Sequence, residues 1–432
     1  MNSIVGWYWG LLKTRHICLL SHYVIVGVRY RDEVVGACFS RVMGTAGRRL
    51  RLGLVSTYPP IHCGVGEYTR LLAESMISAE QDVEIHVYTF SEAGTDTYSS
   101  GQVIVHPILE RNSTRYERLL DAIAEVDGLD IIHLQHEFGI FKTPSIISVL
   151  DMARQEKLAR IIVATLHTVY HPMASGNVEK YVEFNSATKT LDAVIVHSYL
   201  QEFELVNQGV PHRIVYRIPH GTSINTFVDV PRHILAEKLG LPKSVVNHRI
   251  IAVPGFLRRD KGLETLLEAI RYAKTSHMRL IIAGEPQGES GREVSKLVHS
   301  YAAEDERIIY IERYLSNTDV LELAALADLI VLPYQDAPGK YSVSGILHLS
   351  MGSLKPIVGT RVPRLIELYQ LTPHVTVKPG SPRELAMLID RVMKNYDDYV
   401  TYMAPLYGYA VRTRWLRMAR RHLFLYRTLL SQ

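Results

Sequence analysis

Cysteine is scarce in this chain: three in 432 residues, at Cys18, Cys38 and Cys63. An odd number without metal-ligand spacing argues against a disulfide frame or a zinc site, and reads as reduced thiols in a reducing, cytoplasmic compartment. Long apolar runs are missing too. None reaches the roughly 18 residues of an ordinary transmembrane helix. The nearest, ICLLSHYVIVGV at 17–28, is short, carries His22 and is flanked by Arg15 and Arg29. It also lacks the small-residue cleavage site of a signal peptide. Neither sign of charge dominates, with 48 Lys and Arg against 44 Asp and Glu. A net charge of +4 demands no nucleic-acid partner.

What is present is ordinary soluble-globular composition, 47% hydrophobic and 21% charged, in a chain long enough for two or three domains. The first 50 residues differ. They hold seven Lys and Arg (Lys13, Arg15, Arg29, Arg31, Arg41, Arg48, Arg49) against Asp32 and Glu33, with Trp7, Tyr8 and Trp9 near the start. This stretch reads either as a membrane-surface anchor or as sequence upstream of a true start near Met43. The second reading is preferred, because regular patterning begins at Arg51.

From there β-branched runs alternate with helical stretches. Residues 51–55, 83–90, 103–108, 130–136, 161–168 and 193–198 read as buried parallel strands. The alternation restarts with strands at 249–256, 279–286, 307–314, 328–334, 355–360 and 374–380, and helices at 263–275, 319–327 and 382–395. Ser381-Pro382-Arg383-Glu384 has the form of a capping box with Pro at the first helical position. Two Rossmann-like, doubly wound α/β domains follow: 51–225 and 226–405, after an extension at 1–50. Beyond a break at Pro405 and Gly408, a last helix at 412–430 puts Trp415, Ala419, Leu423, Tyr426 and Leu430 on one stripe, with an Arg-rich opposite face.

Four strand exits carry candidate chemistry, because open α/β sheets bind ligands beyond the carboxyl ends of their strands. The first, STYPPIHCGVGEYTRLLAESM (56–76), offers Gly64 and Gly66 ahead of a helix, a place for an anion. The second, QHEFGIF (135–141), holds His136 and Glu137; Glu137 fits proton transfer or sugar hydroxyls, and helix capping equally well. The third, ATLHT (164–168), points His167 into the crevice unless it is a core histidine, and His197 and His220 repeat that placement. The fourth, GFLRRDKGLETLLEAI (255–270), clusters Arg258, Arg259 and Lys261, which suits a diphosphate better than a merely solvated loop.

Taken in order with IAGE, LPY, SGILHLSMGSLKPIVGT and the Trp-containing final helix, these pieces resemble the retaining GT-B glycosyltransferases of family 4, across residues 51–430. The resemblance implies an acceptor-binding first domain and a second domain that binds a nucleotide-activated sugar, with the chain end (406–432) crossing back. It implies donor-sugar contact by His167, acceptor contact by His136 and Glu137, and donor phosphates near Gly64 and Gly66. It places Gly284, Tyr341 and Ser342 beside the donor sugar or nucleotide. The family's G-R-x5-K-G pattern maps its Lys onto Lys261, but its Arg falls on Phe256, with Arg258 or Arg259 as substitutes. The family's paired Glu positions fall on Tyr341 and Leu349. Leucine accepts no hydrogen bond. A variant pattern, Q-x-x-S-G-x-L, resembles Ser342, Ser344 and Gly345 instead, and leaves a helix start to meet phosphate.

The activity so implied is retaining transfer of a mannose- or glucose-type hexose from a GDP- or UDP-linked donor to a glycan or lipid-linked acceptor. Lys261, an arginine and backbone amides would stabilise the leaving diphosphate. No metal and no cofactor beyond the nucleotide-sugar co-substrate are expected, since no D-x-D motif stands at a strand end. The catalytic set expected is His167, Glu137 and Lys261. Peripheral membrane contact through the extension or the last helix stays open. Two other readings stand beside this one: a sugar-nucleotide binding module without chemistry, and a sugar-nucleotide epimerase.

Overall fold

The computed structural model describes residues 49–111, 113, 115–174, 178–275 and 277–432. The expectations for the aromatic, basic start, and for Cys18 and Cys38, lie outside these residues. Sixteen strands are described. The first nine are β1 (Leu50–Val55), β2 (Val83–Phe90), β3 (Tyr98–Ser100), β4 (Val103–Leu109), β5 (Leu129–His136), β6 (Ala159–Leu166), β7 (Thr168–Tyr170), β8 (Ala193–Val196) and β9 (Val215–Arg217). The rest are β10 (Arg249–Pro254), β11 (Met278–Ala283), β12 (Ile308–Ile311), β13 (Leu329–Leu332), β14 (Lys340–Ser342), β15 (Ile357–Thr360) and β16 (Thr376–Val377).

They form an eight-stranded sheet, β3-β4-β2-β1-β5-β6-β8-β9, and a six-stranded sheet, β12-β11-β10-β13-β15-β16. Every pairing in them is parallel except β3 with β4. The period-2 logic of a sheet buried on both faces is plain. Leu52, Leu54, Ile131, Val163 and Ile195 pack on one side of the first sheet, and Val55, Ile132, Ala164 and Val194 on the other. Strand order reverses between β1 and β5 and again between β10 and β13. The crevice outside the carboxyl ends of these four strands is therefore where each sheet accepts a ligand.

The final helix, Trp415–Leu430, closes the second face of the first sheet with Trp415, Met418, Ala419, Leu423 and Tyr426. Its Tyr426 hydroxyl lies 2.6 Å from His133 Nδ1, while His133 Nε2 reaches Thr165 Oγ1 at 2.7 Å. Burial holds His133 well below the usual imidazole range, so the ring is neutral: Tyr426 donates to it and it donates to Thr165.

Three expectations change. Pro405 and Gly408 do not break the chain; they lie inside the helix Ala404–Arg412, with Pro405 in the first turn, where its missing N–H is an orphan anyway. No capping box forms at Ser381: its side chain makes no cap bond, and the Glu384 carboxylate accepts instead from the Lys378 amide. The stretch 161–168 does not run as one strand. It ends at Leu166 and restarts as β7, which pairs antiparallel with β14 through Thr168–Ser342, Val169–Tyr341 and Tyr170–Lys340. This ladder of two three-residue strands ties the loops of the two large sheets together, and His171 N extends it to Gly339 O at 2.7 Å. No helix among the described residues is long and apolar enough to cross a membrane.

Candidate functional site

The strand ends converge on a cleft of about 200 Å³. From the first sheet's side it is lined by Gly64, Glu67, Tyr68, His220, Gly221 and Trp415. From the second come Gly255, Phe256, Lys261, Gly284, Glu285, Tyr314, Ser344, Gly345, Leu349 and Arg364. Two sets of contacts close it. On one side stands the β7–β14 ladder. On the other, Glu67 accepts from Tyr314 Oη (3.2 Å) and Asn317 Nδ2 (2.9 Å). Beside them His62 stacks on Tyr314 with ring centroids 3.8 Å apart and meets Glu285 at 3.0 Å.

Lys261 sits in the β10 exit loop, in a single 3-10 turn that ends at Gly262. Its Nζ donates to Tyr334 Oη at 3.2 Å and lies 4.2 Å from that ring's centroid. Burial, then Arg364 and Arg258, hold its pKa well below the usual lysine range. Asp260 is desolvated too, yet Arg364 and Arg258 keep its carboxyl well below the usual carboxylate range. The glycine of the IAGE segment, Gly284, is held against the β10 exit loop: a Cβ there would stand 2.1 Å from Gly255 O. Only glycine lets the two backbones approach this closely at the cleft wall.

Of the remaining expected residues, Gly64 and Gly345 line the cleft with Lys261 and Gly284. Ser344 lines it as well, but its hydroxyl is already occupied, capping the helix Gly345–Ser350 by accepting from Leu347 N at 3.1 Å and standing 3.2 Å from Tyr334 Oη. The others are placed elsewhere. Gly66 seats its helix on the backbone of Thr57 and Tyr58. His136 is fully buried, stacked on Phe184 at 3.7 Å with Nε2 against Phe141 O, and burial pulls its pKa down to about 3, so it is a core histidine. Glu137 is held by Thr168 Oγ1 (2.5 Å) and the Phe138 amide (3.1 Å) beside the ladder. Arg258 forks onto Asp260 at 2.9 and 2.7 Å, and Arg259 points to solvent with Glu293. Tyr341 and Ser342 are ladder residues.

His167, His197 and His220 do meet, around a residue that sequence reasoning missed. Their rings lie 4.7, 5.2 and 5.0 Å from that of Tyr68. Of the three only His220 lines the cleft; His167 stands behind Tyr68, its Nε2 on Gln135 Oε1 at 3.0 Å. Burial lowers all three pKa values, so these imidazoles are neutral and act as hydrogen-bonding groups. Trp415 also contacts Tyr68, at 5.1 Å. The Tyr68 hydroxyl and the Trp415 indole N–H are buried at the cleft with no partner among the described residues. Unpaired buried donors are costly, so both call for a ligand rich in acceptor oxygens. Arg364, 5% exposed, is the other missed group. Each of the two follows a strand exit: Tyr68 stands two residues after Gly66 in the 56–76 stretch, and Arg364 in the 3-10 turn Pro363–Leu365 just past β15, so position after a strand end was the signal that could have found them.

Residues 242–404 match the family described as Glycosyl transferases group 1. A GDP-mannose:glycolipid 4-beta-D-mannosyltransferase of Xanthomonas campestris is 29% identical over 104 residues, 24% of this chain and 28% of that relative's length. The sucrose-phosphate synthase of Thermosynechococcus elongatus superposes with a TM-score of 0.69 at 18% identity, over 89% of this chain and 100% of that one. Anabaena Alr3699/HepE in complex with UDP-glucose does so with a TM-score of 0.66 at 16% identity and the same coverage. The described chain has the GT-B fold, and its residues 242–404 carry the match to the glycosyl transferases group 1 family.

Proposed function

We propose that this chain is a retaining hexosyltransferase that moves a mannose- or glucose-type sugar from a GDP- or UDP-linked donor to a glycan or lipid-linked acceptor. In this reading the 226–405 part grips the donor and the 51–225 part presents the acceptor. One observation carries the reading: a half-buried lysine without a bonded carboxylate, Lys261, shares a cleft with the unpaired donors of Tyr68 and Trp415. Such a site is built for an oxygen-rich anion. The named activity of the Xanthomonas relative supports a mannosyl donor and a glycolipid acceptor. Titrating UDP, GDP, ADP and dTDP against the purified chain tests the donor site; binding of none would overturn it. Release of nucleoside diphosphate, dependent on acceptor, separates an enzyme from a binding module.

Retention rests on the lining carboxylates. Glu67 is held by Arg70, Tyr314 and Asn317, and Glu285 by His62, which leaves neither placed as a free base for attack from the opposite face. The relative is named for a β linkage, so the anomeric configuration of the product, read by NMR, is the deciding measurement. Inversion relative to the donor would overturn the retaining assignment.

Donor binding should take up a proton. In the empty cleft burial and neighbouring guanidiniums disfavour the Lys261 ammonium, whereas a bound diphosphate favours it. The pKa therefore rises on binding. Affinity is full below the free-protein value and falls as pH rises through it towards the bound value. Calorimetry in buffers of different ionisation enthalpy counts the protons; zero uptake across neutral and alkaline pH would contradict this.

Membrane contact fits the last helix. It contains no acidic residue, and it exposes Arg417 and Arg420 beside Leu416 and Phe424, the latter 62% exposed. Each such cation is worth ~1 kcal/mol at an anionic surface, so Arg417→Gln with Arg420→Gln should weaken partition onto phosphatidylserine vesicles by roughly 30-fold. Unchanged sedimentation with vesicles would assign the contact elsewhere.

A further inference from the structure

We propose that Arg364 supplies the guanidinium half of this chain's diphosphate grip, from the loop after β15 and not from the β10 loop that holds Lys261. The inference rests on the donor-site reading above and adds a residue to it. In the β10 loop Phe256 stands where the resemblance would put an arginine, and Arg258 and Arg259 are turned to Asp260 and Glu293. The guanidinium that lines the cleft is that of Arg364.

Its setting is that of a poised ligand group. Arg364 packs over the Tyr334 ring at 4.4 Å from the centroid, the same ring that Lys261 approaches at 4.2 Å, so one aromatic holds both cations at the cleft wall. Asp260 pairs with it at 2.9 Å and Asp336 also pairs with it, which keeps the fork fixed in orientation. Those carboxylates do not exhaust it. Its Nε is buried with no partner among the described residues. Four basic groups, Lys261, Lys340, Arg258 and Arg364, gather around Asp260, and Asp336 stands beside Lys261 and Arg364. A planar fork beside a point ammonium is the pairing that grips two phosphates at once. A brace between loops would explain the two carboxylates, but not the unpaired Nε donor.

The test compares a nucleoside, its monophosphate and its diphosphate, for uridine and guanosine, by calorimetry on the full chain. In Arg364→Gln the diphosphate affinity should fall roughly 10- to 150-fold, as for a lost charge-assisted contact, while nucleoside affinity holds. The preference for diphosphate over monophosphate should therefore shrink. An unchanged preference overturns the proposal. So does an equal loss for all three ligands together with a lowered melting temperature, the pattern of a structural brace. Arg364→Lys keeps a cation against Asp260 and Asp336 should the glutamine variant not fold; without the fork its preference should also shrink, and an intact preference again overturns the proposal. Failure of the unmodified chain to bind any of these nucleotides would instead remove the donor-site reading, and this inference with it.

Discussion

Lys261→Met is expected to remove sugar transfer while leaving the fold intact. Methionine keeps the length and the packing against Tyr334 but carries no charge. One charge-assisted contact to phosphate is worth about 1.5–3 kcal/mol, so diphosphate affinity should drop roughly 10- to 150-fold. The chemical step should suffer further, because the charge on the leaving diphosphate develops where the ammonium stands. Loss of one such stabilising group typically lowers kcat by about 100- to 1,000-fold. The fold should not pay for this. Lys261 is half-buried, hydrogen-bonded to Tyr334 and repelled by Arg364 and Arg258, so removing the ammonium relieves a desolvation penalty. The melting temperature should hold or rise. Steady-state kinetics with a thermal melt on the same sample check both halves; a variant that transfers sugar at the original rate would take Lys261 out of the site.

The expected residues that line the cleft share one property. Gly64, Lys261, Gly284 and Gly345 each belong to a short local motif at a strand exit or a helix start, and strand exits at a switch point must face the crevice. His136 shows the limit of that rule. It occupies the last position of β5, where side chains alternate between faces, and it fell on the face packed by Phe184 and Phe141. The missed residues reach the cleft from three separate elements. Tyr68 projects from the first turns of the helix Gly64–Ala79, Trp415 comes from a helix some 350 residues downstream of it in sequence, and Arg364 from the 3-10 turn after β15. The β7–β14 ladder lay deepest. Its strands have three residues each and pair with each other across more than 150 residues of sequence, so neither carries a readable period. Yet it sets the geometry that matters, because β7 follows directly on His167 and β14 leads into Ser344 and Gly345. Tyr341 is expected at the donor sugar because it falls on the first of the paired Glu positions that the resemblance supplies. Once it pairs with Val169, its backbone is committed to closing the cleft.

Gly262→Ala should be the most damaging conservative change near the site. Gly262 follows Lys261, sits at φ +67° and ψ 28°, and caps the helix Leu263–Tyr272. Left-handed backbone alone costs a non-glycine residue about 1–2 kcal/mol. Here a second term is larger. A Cβ would lie 1.9 Å from the carbonyl oxygen of Pro333, a backbone atom at the end of β13 that no rotamer change can move. The β10 exit loop would have to lift away from β13, and Lys261 would go with it. We expect destabilisation beyond about 4 kcal/mol, the range that marks a named steric mechanism, and a melting temperature lower by roughly 10 °C for a unit of this size. Gly240→Ala supplies the control. It shares the left-handed backbone, φ +74°, but its Cβ would meet nothing within 4 Å, so it should show the conformational term alone. Chemical denaturation of the two variants side by side separates strain from collision. If they are equally stable, β13 does not constrain the loop, and the position of Lys261 must be set by Tyr334 and Asp260 instead. If Gly262→Ala is the weaker by several kcal/mol and also loses diphosphate binding, the contact between two strand ends is what places the half-buried lysine at the cleft.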